Sequence, residues 1–194
     1  NFMNKKFAKR IILFASGSGT NVENIINYYK ENNEVDIVTV FTNNPKAGVI
    51  DRISPSKIPT KILDKVKLDN GTVKDQIEIL DPDLIILAGF LLKIPLDFTS
   101  TFNGKIINIH PALLPKHGGK GMYGDRVHKS VKEAGDKQTG ITIHHVNEHY
   151  DRGSIIFQAK VEISLQDSIE EIAKKVQKLE YEHYPKIIDK ILFS

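Results

Sequence analysis

The feature of this 194-residue sequence that most limits its fold is the alternation of short apolar runs with segments of helical spacing. Five runs rich in Ile, Val and Leu are predicted to be strands: 10–15, 35–41, 60–63, 84–88 and 105–109. Three segments between them have the spacing of amphipathic helices: 21–30, 47–53 and 72–80. Strands that are apolar on both faces and alternate with helices are typical of a parallel sheet covered on both sides.

The pattern changes in the second half of the chain. Residues 111–124 form a long loop rich in Gly and Pro, which is followed by a predicted helix at 126–134. Two further strands, 140–146 and 154–163, are joined by the turn 147–153 and are predicted to be antiparallel. A final helix begins near Asp167, with a kink or break expected at Pro185. The sequence therefore predicts a single-domain, Rossmann-like α/β fold over 1–194: a mostly parallel twisted sheet flanked by helices, antiparallel C-terminal strands and a final helix.

Composition excludes several classes of site. The chain has no Cys, which removes thiolate zinc sites, thiol nucleophiles and disulfides. Lys and Arg total 27 against 24 Asp and Glu, and this mixed charge predicts small-molecule substrates and no nucleic-acid partner. No apolar run reaches the roughly 18 residues of a membrane helix, so we expect no membrane association and a cytoplasmic location. Residues 1–9 are expected to be a flexible start, in which Asn1 and Phe2 are additions before a natural start at Met3.

The segment 16–21, Ser-Gly-Ser-Gly-Thr-Asn, lies between the first strand and the first helix. Glycines allow a ligand to approach the backbone, and the helix start offers free N–H groups to a phosphate. Thr20 and Glu23 also match a capping box, which would satisfy the same N–H groups without a ligand. The lysine of a Walker motif and the third glycine of a dinucleotide fingerprint are both missing. The segment alone leaves phosphate binding and a plain tight turn equally open.

Asn108 and His110 end the strand 105–109 and, two positions apart, point to the same side of it. Ligands of open parallel sheets bind beyond the carboxyl ends of the strands. A histidine and a neighbouring carboxamide together can stabilise a developing oxyanion. The alternative is a histidine that only caps strand-end carbonyl groups.

Asp151 lies in the turn 147–153, where an aspartate is most often structural. If that turn folds onto His110, the carboxylate should raise the pKa of the imidazole above about 6.5. His144, His145 and His149 suggest a metal, but neighbouring strand residues face opposite ways, and we predict no metal site. His117, His128 and His183 are expected to be solvated.

Several motifs together are more specific than any one of them. In chain order they are A-S-G-S-G-T-N (15–21), L-A-G-F (87–90), I-N-I-H-P-A-L-L-P-K (107–116), D-R-G (151–153) and V-Q-K-L-E (176–180). From about residue 10 to residue 191, the chain resembles the folate-dependent phosphoribosylglycinamide formyltransferases of purine synthesis. The N-x-H-P-x-L-L-P segment with a downstream Asp marks the wider formyltransferase superfamily.

The resemblance implies an activity and roles for particular residues. The activity is transfer of a formyl group from the co-substrate 10-formyltetrahydrofolate to the amine of 5-phosphoribosylglycinamide, without a metal or a permanently bound cofactor. The catalytic residues would be Asn108, His110 and Asp151. The ribonucleotide would contact Gly19, Thr20, Asn21, Gln177 and Glu180. The folate would contact Leu91, Leu92, Lys93, Ile94, Asn108, Asn147, Glu148, His149, Tyr150 and Asp151.

Two departures from the family pattern and several alternatives accompany this resemblance. Family members often carry Arg at the position of Leu92 and another Arg in the region corresponding to 61–72, where this chain has lysines. The glycine-rich stretch 118–124 resembles a mobile lid. Alternative interpretations are a formyltetrahydrofolate deformylase, another superfamily member such as a methionyl-tRNA formyltransferase, and a non-catalytic nucleotide-binding module. The chain is expected to be a monomer or a weak homodimer.

Overall fold

The computed structural model describes residues 8–194, so the expected additions at Asn1 and Phe2 and most of the predicted flexible start lie outside the described residues. Lys9 already belongs to the first strand. The strands are β1 (Lys9–Phe14), β2 (Val35–Thr42), β3 (Thr60–Ile62), β4 (Leu84–Leu87), β5 (Ile106–His110), β6 (Gln138–His145) and β7 (Ile155–Glu162). The helices are α1 (Thr20–Tyr29), α2 (Gly48–Ile53), α3 (Lys65–Asp69), α4 (Thr72–Leu80), α5 (Leu96–Thr101), α6 (Asp125–Glu133) and α7 (Ile169–Phe193), with a 3₁₀ turn at Ser54–Ser56.

All seven strands form one sheet in the order β3-β2-β1-β4-β5-β6-β7. The first five in this order are parallel, whereas β6 and β7 pair antiparallel, which confirms the predicted fold class. After β1 the chain turns to one side to build β2 and β3, and then crosses over to build β4 and β5 on the other side. The loops after β1 and β4 therefore diverge and open a crevice at the carboxyl edge of the sheet, where open α/β sheets bind ligands.

The sheet separates two apolar cores. Along β1, Ile11 and Leu13 face the core under α1, α2 and α7, while Ile12 and Phe14 face the core under α3, α4 and α5. All four side chains are completely buried. A strand with apolar residues on both faces is thus held from both sides, which keeps its carboxyl end rigid for the residues that follow it.

The start of α1 does not form the capping box that was one of the two alternatives for this segment. The residue before the helix is Gly19, in the left-handed conformation at φ 74°, and Thr20 makes no side-chain cap. The Glu23 carboxylate instead accepts a 3.3 Å hydrogen bond from Arg52. The capping-box alternative does not form because Thr20 is the first residue of the helix and not its cap, and the first N–H groups of α1 are left without a side-chain acceptor.

The final helix is continuous through Pro185, so the predicted break there is wrong. A proline inside a helix leaves the carbonyl oxygen four residues earlier without its N–H partner. Here that oxygen belongs to Tyr181, and it accepts a 3.0 Å hydrogen bond from the side-chain amide of Asn24 on α1. The helix therefore continues because a neighbouring helix supplies the missing donor.

Across residues 8–194, no helix combines the length and apolar character needed to cross a membrane.

The short helices α3 and α5 were not predicted. They span five and six residues, and neither shows the apolar spacing by which the equally short α2 was predicted. The signal for α3 is Asp64, whose carboxylate caps the backbone N–H of Lys67 at 2.8 Å. Both helices cover the second core at its edge.

Candidate active site

A cavity of about 800 Å³ opens at the carboxyl edge of the parallel strands, where the topology places a ligand crevice. Its walls come from the loops after β1, β4 and β5, from the turn between β6 and β7, and from one face of α7. The glycine-rich segment 119–124 borders it on the outer side. The cavity therefore brings together parts of the chain from Ser16 to Glu180.

The loop after β1 is held in one shape at this cavity. The Ser16 hydroxyl donates a 2.5 Å hydrogen bond to Oδ1 of Asn43 and accepts a 2.9 Å bond from the backbone N–H of Leu91. Gly19 has a positive φ, and a Cβ there would collide with Val49, whose Cα would lie only 2.8 Å away. Only glycine fits this position, and the close packing presents the start of α1 to the cavity.

Asn21 and Glu180 meet at the same end of the cavity. Nδ2 of Asn21 donates a 3.2 Å hydrogen bond to Oε2 of Glu180. Burial raises the pKa of Glu180 to about 7, although the Asn21 amide opposes this rise. Oδ1 of Asn21 is buried and has no hydrogen-bond partner. This end therefore offers a hydrogen-bond acceptor, a carboxyl group that titrates near neutrality and a free helix start.

At the opposite end, Asn108 faces His144 across the antiparallel pair β5–β6. Nδ2 of Asn108 lies 3.2 Å from Nε2 of His144, and Nδ1 of His144 lies 2.9 Å from the carbonyl oxygen of His145. A carbonyl oxygen can only accept a hydrogen bond, so Nδ1 donates to it, and Nε2 is the nitrogen that faces both the Asn108 amide and Oδ1 of Asp151, 3.7 Å away. His144 thus orients the carboxamide and leaves its second N–H for a ligand.

His110 and Asp151, 41 positions apart in sequence, are brought together beside Asn108. Nδ1 of His110 lies 3.5 Å from Oδ2 of Asp151, an ion-pair distance. Nε2 of His110 donates to the carbonyl oxygen of His117 at 2.8 Å. Oδ2 of Asp151 also accepts a 2.9 Å bond from the backbone N–H of Gly119. Both groups are therefore held by the loop that follows β5.

The protonation of this pair differs from the prediction. Burial lowers the pKa of His110 below its ordinary value, and the Asp151 carboxylate only partly opposes that effect. The predicted rise of the His110 pKa is therefore wrong for the free protein. The imidazole is almost completely buried, and the loss of solvation lowers its pKa by more than the Asp151 carboxylate raises it. Burial also raises the pKa of Asp151, but His144, His110 and the Gly119 N–H together bring it below the ordinary value. The free site holds a carboxylate beside an imidazole that is mainly neutral at pH 7.

Two of the histidines expected in solvent are not solvated: His128 is buried and His117 is half-buried. His128 on α6 is 6% exposed, lines the cavity, and its Nδ1 has no hydrogen-bond partner. His117 bonds through both ring nitrogens to Ser130 and Asp136. The partners of His117 lie 13 and 19 positions later in the chain, and the burial of His128 depends on how α6 packs, so neither environment has a local signature in the sequence. Among the described residues, no three His, Asp or Glu side chains are arranged to hold a metal ion.

Most of the residues assigned to folate lie on the cavity. Those that line it are Leu91, Leu92, Lys93, Ile94, Asn108, Asn147, His149, Tyr150 and Asp151. Glu148 does not line it, and its carboxylate lies 3.5 Å from Nε2 of His149. The ribonucleotide set is complete on the cavity wall: Gly19, Thr20, Asn21, Gln177 and Glu180.

Sequence reasoning missed several residues of the cavity. The most important is His144, which we had examined only as a metal ligand. Strand alternation places His144 and His145 on opposite faces of the sheet, and this could be read from the sequence. The pairing of His144 with Asn108 depends on the register between β5 and β6, which the sequence does not display. The cavity has no arginine at Leu92 or from 61–72, and the cations that line it are Lys93, Lys120, Arg126 and Lys174.

Comparison with known proteins agrees with this geometry. The family model described as formyl transferase matches residues 9–188. A phosphoribosylglycinamide formyltransferase of Haemophilus influenzae is 37% identical over 186 residues, covering 93% of this chain and 85% of its own length. The chloroplastic enzyme of that name from Arabidopsis thaliana is 36% identical over 94% of this chain, which spans 65% of that relative. The crystal structure of the Bacillus halodurans enzyme superposes with a TM-score of 0.86 at 33% identity, covering 96% of both chains.

Proposed function

Since the chain belongs to the formyl transferase family, we propose that it transfers the formyl group of 10-formyltetrahydrofolate to the amine of 5-phosphoribosylglycinamide in purine biosynthesis. The observation that carries this proposal is the convergence of Asn108, His110 and Asp151 at one end of a cavity whose other end holds the start of α1. A cavity with an oxyanion site at one end and an anion site at the other fits a phosphorylated amine that meets an acyl donor.

The reaction begins when the amine nitrogen attacks the formyl carbon and the carbonyl oxygen becomes an oxyanion. The free N–H of the Asn108 carboxamide donates to this oxygen, because His144 occupies the other one. His110 binds the oxyanion through Nδ1 when that nitrogen carries a proton, since Nε2 is bonded to a carbonyl. The developing negative charge and the Asp151 carboxylate both favour this protonated state.

Collapse of the intermediate breaks the bond between the formyl carbon and N10 of the folate. The amine nitrogen must lose one proton, and N10 must gain one. Asp151 is ionised in the free site, so its carboxylate can accept the proton from the amine. His110, 3.5 Å away, or a water molecule between the groups can then deliver a proton to N10.

The ribonucleotide lies with its phosphate on the N–H groups at Gly19, Thr20 and Asn21, and Lys174 adds a positive charge from α7. Gln177 and Glu180 contact the sugar or the glycinamide. The pteridine occupies the slot between 91–94 and the turn 147–151, where Tyr150 lies 3.4 Å from the carbonyl oxygen of Leu91. Lys93 stands in this wall beside Leu92 and supplies the positive charge for the folate's glutamate.

The proposed chemistry needs no metal and no permanently bound cofactor, because folate acts as a co-substrate. Exhaustive treatment with a chelator should therefore leave turnover unchanged, and activity that is lost with chelator and restored by zinc would contradict this. The partners are the two small-molecule substrates, without nucleic acid or membrane, and the protein acts as a monomer or weak homodimer in the cytoplasm. Sedimentation of the purified protein and fractionation of cells test the last two proposals.

The decisive experiment is an assay with the formyl donor, with and without 5-phosphoribosylglycinamide. We expect folate product only when the ribonucleotide is present, together with one formylated amine per folate released. Formate production without the acceptor would instead indicate a deformylase. Binding of either ligand without any turnover would favour a non-catalytic nucleotide-binding module.

A further inference from the structure

A network of half-buried polar side chains lies behind the loop that follows β5, outside the substrate cavity. Nε2 of His117 lies 2.7 Å from Oδ2 of Asp136, and Nδ1 lies 2.7 Å from the hydroxyl oxygen of Ser130 on α6. The hydrogen bond from His117 lowers the pKa of Asp136, which is therefore a carboxylate. Nε2 consequently donates to the Asp136 carboxylate, while Nδ1 is hydrogen-bonded to the Ser130 hydroxyl.

The backbone of His117 has an unusual conformation. Its φ is +57°, in the left-handed region that residues with a Cβ rarely adopt. Its side chain is 10% exposed and anchored at both ring nitrogens, so the network compensates for the unfavourable backbone. Strain of this kind persists where the surrounding contacts over-determine the position.

The segment from His117 to Gly119 contacts both groups of the catalytic pair through its backbone. The carbonyl oxygen of His117 accepts a hydrogen bond from Nε2 of His110, and the two atoms lie 2.8 Å apart. Two residues later, the N–H of Gly119 donates to Oδ2 of Asp151 at 2.9 Å. Gly118 packs between them, and a Cβ there would lie 3.3 Å from Cβ of Asp151. A rotation at His117 would therefore displace partners of both His110 and Asp151.

We infer that His117, held by Asp136 and Ser130, is a positioning residue whose anchored side chain fixes the carbonyl that selects the tautomer of His110. Because that carbonyl accepts only from an N–H, Nε2 keeps its proton, and Nδ1 is the nitrogen that gains and loses one. Nδ1 is also the nitrogen that faces Asp151, while His144 and His128 are the other titratable groups near the ring. The inference rests on the proposed function for its effect on turnover, but its effect on His110 is independent of activity.

The test compares His117→Phe and Asp136→Ala with Asp136→Asn, whose amide oxygen still accepts a hydrogen bond. Lys116→Met is the matched control, because Lys116 is 67% exposed and contacts only the other oxygen of Asp136, at 3.0 Å. Nitrogen-15 NMR of the His110 ring reports its tautomer and pKa without substrate. Steady-state assays then give kcat and the KM for the ribonucleotide.

We expect the wild type and Lys116→Met to hold the Nε2–H tautomer of His110. His117→Phe and Asp136→Ala should show both tautomers and a lower His110 pKa, because the carbonyl that raises that pKa is displaced. Their kcat should fall about 10- to 100-fold with an unchanged KM, the size of effect expected from a small misplacement of a catalytic group. Asp136→Asn should recover much of the loss.

Several results would overturn the inference. One is an unchanged His110 tautomer in a folded His117→Phe or Asp136→Ala variant. Another is an equal loss in all four variants, including Lys116→Met, which would mean general damage. If His117→Phe does not fold, the inference is tested by comparing the His110 tautomer and kcat of Asp136→Ala with those of Asp136→Asn. A wild type without turnover would overturn the proposed function, while the NMR comparison would still decide whether His117 positions His110.

Discussion

Nδ1 of His110 and Oδ2 of Asp151 lie 3.5 Å apart in a site where both side chains are almost fully buried. The distance is longer than a direct hydrogen bond, so in the free protein the carboxylate acts on the imidazole mainly through its own negative charge. Burial and the carboxylate have opposite effects on the pKa of the imidazole, and burial has the larger one. The pair is therefore set to change its protonation when a negative charge develops beside it.

Replacing Asp151 by Asn removes the charge that raises the pKa of His110. We expect the His110 pKa to fall further and kcat to drop about 10²- to 10³-fold, as for the loss of one oxyanion donor. Ribonucleotide affinity should change little, because the proposed phosphate site lies at the other end of the cavity. If the pair acts as a unit, His110→Ala combined with Asp151→Asn should be barely worse than the worse single variant. An NMR titration of His110 and kcat for all four proteins would check this, and losses that simply multiply would contradict it.

Glu180 provides a second prediction, on the pH dependence of stability. Its pKa is about 7 in the folded protein against an ordinary 4.5, so the folded state binds more protons between these values. This carboxyl therefore costs stability progressively as pH rises from about 4.5 to 7. Glu180→Gln, which keeps an acceptor for Asn21, should stabilise the protein at pH 8 by about 1–3 kcal/mol and weaken ribonucleotide binding.

Urea unfolding at pH 5 and pH 8 measures the Glu180 effect. The matched control is Glu170→Gln on the same helix, where the side chain is 79% exposed and should give no difference. A Glu180→Gln variant that is equally stable relative to wild type at both pH values would show that the carboxyl is not perturbed.

The loop after β1 offers a pair of glycines for a third prediction. Gly19→Ala places a methyl group against Val49 at a positive φ and should destabilise the protein by about 2–4 kcal/mol. A bulkier Val at this position would disrupt the fold and not only the phosphate site. Gly17→Ala is the control, because a Cβ there meets nothing within 4 Å. Thermal unfolding of both variants should show a loss for Gly19→Ala alone, and equal losses would refute the packing argument.

A fourth prediction concerns the hydrogen bond from Asn24 to the carbonyl oxygen of Tyr181. Asn24→Ala should cost about 1 kcal/mol, because the carbonyl then lacks any donor. In a Pro185→Ala background, residue 185 supplies its own N–H, and Asn24→Ala should cost less. A double-mutant cycle by chemical denaturation measures the difference, and additive losses would mean that Asn24 does not compensate for the proline.

The strands of the sheet could be predicted from the sequence, because apolar runs such as 84–88 are long enough to show that both faces of a strand are buried. The sequence was also sufficient for Asn108 and His110, since a two-residue spacing on a strand places them on one side. The helical pattern of α7 was visible, but its continuity was not, because that depends on Asn24, more than 150 positions earlier. Local patterns predict elements, whereas the compensation of a local defect comes from tertiary structure.

The same distinction explains the errors at the site. His144 reaches Asn108 through strand register, and His117 reaches Asp136 through the path of α6, so neither partner follows from spacing. The direction of the His110 pKa depends on the balance between burial and one carboxylate, and burial is a property of the whole fold. The family resemblance could indicate that Asp151 belongs beside His110, but not how strongly the surroundings desolvate the ring.

The contact between Asn21 on α1 and Glu180 on α7 can form only late in the synthesis of this protein on the ribosome. Domains are made from the amino end onward, so the glycine-rich loop emerges long before the helix that closes its cavity. Tyr184, whose hydroxyl bonds to the carbonyl oxygen of Leu87 at 2.8 Å, joins the end of β4 equally late. The cavity is therefore incomplete in the nascent chain until α7 has been translated, so a ligand that needs the proposed ribonucleotide site would bind only after that point.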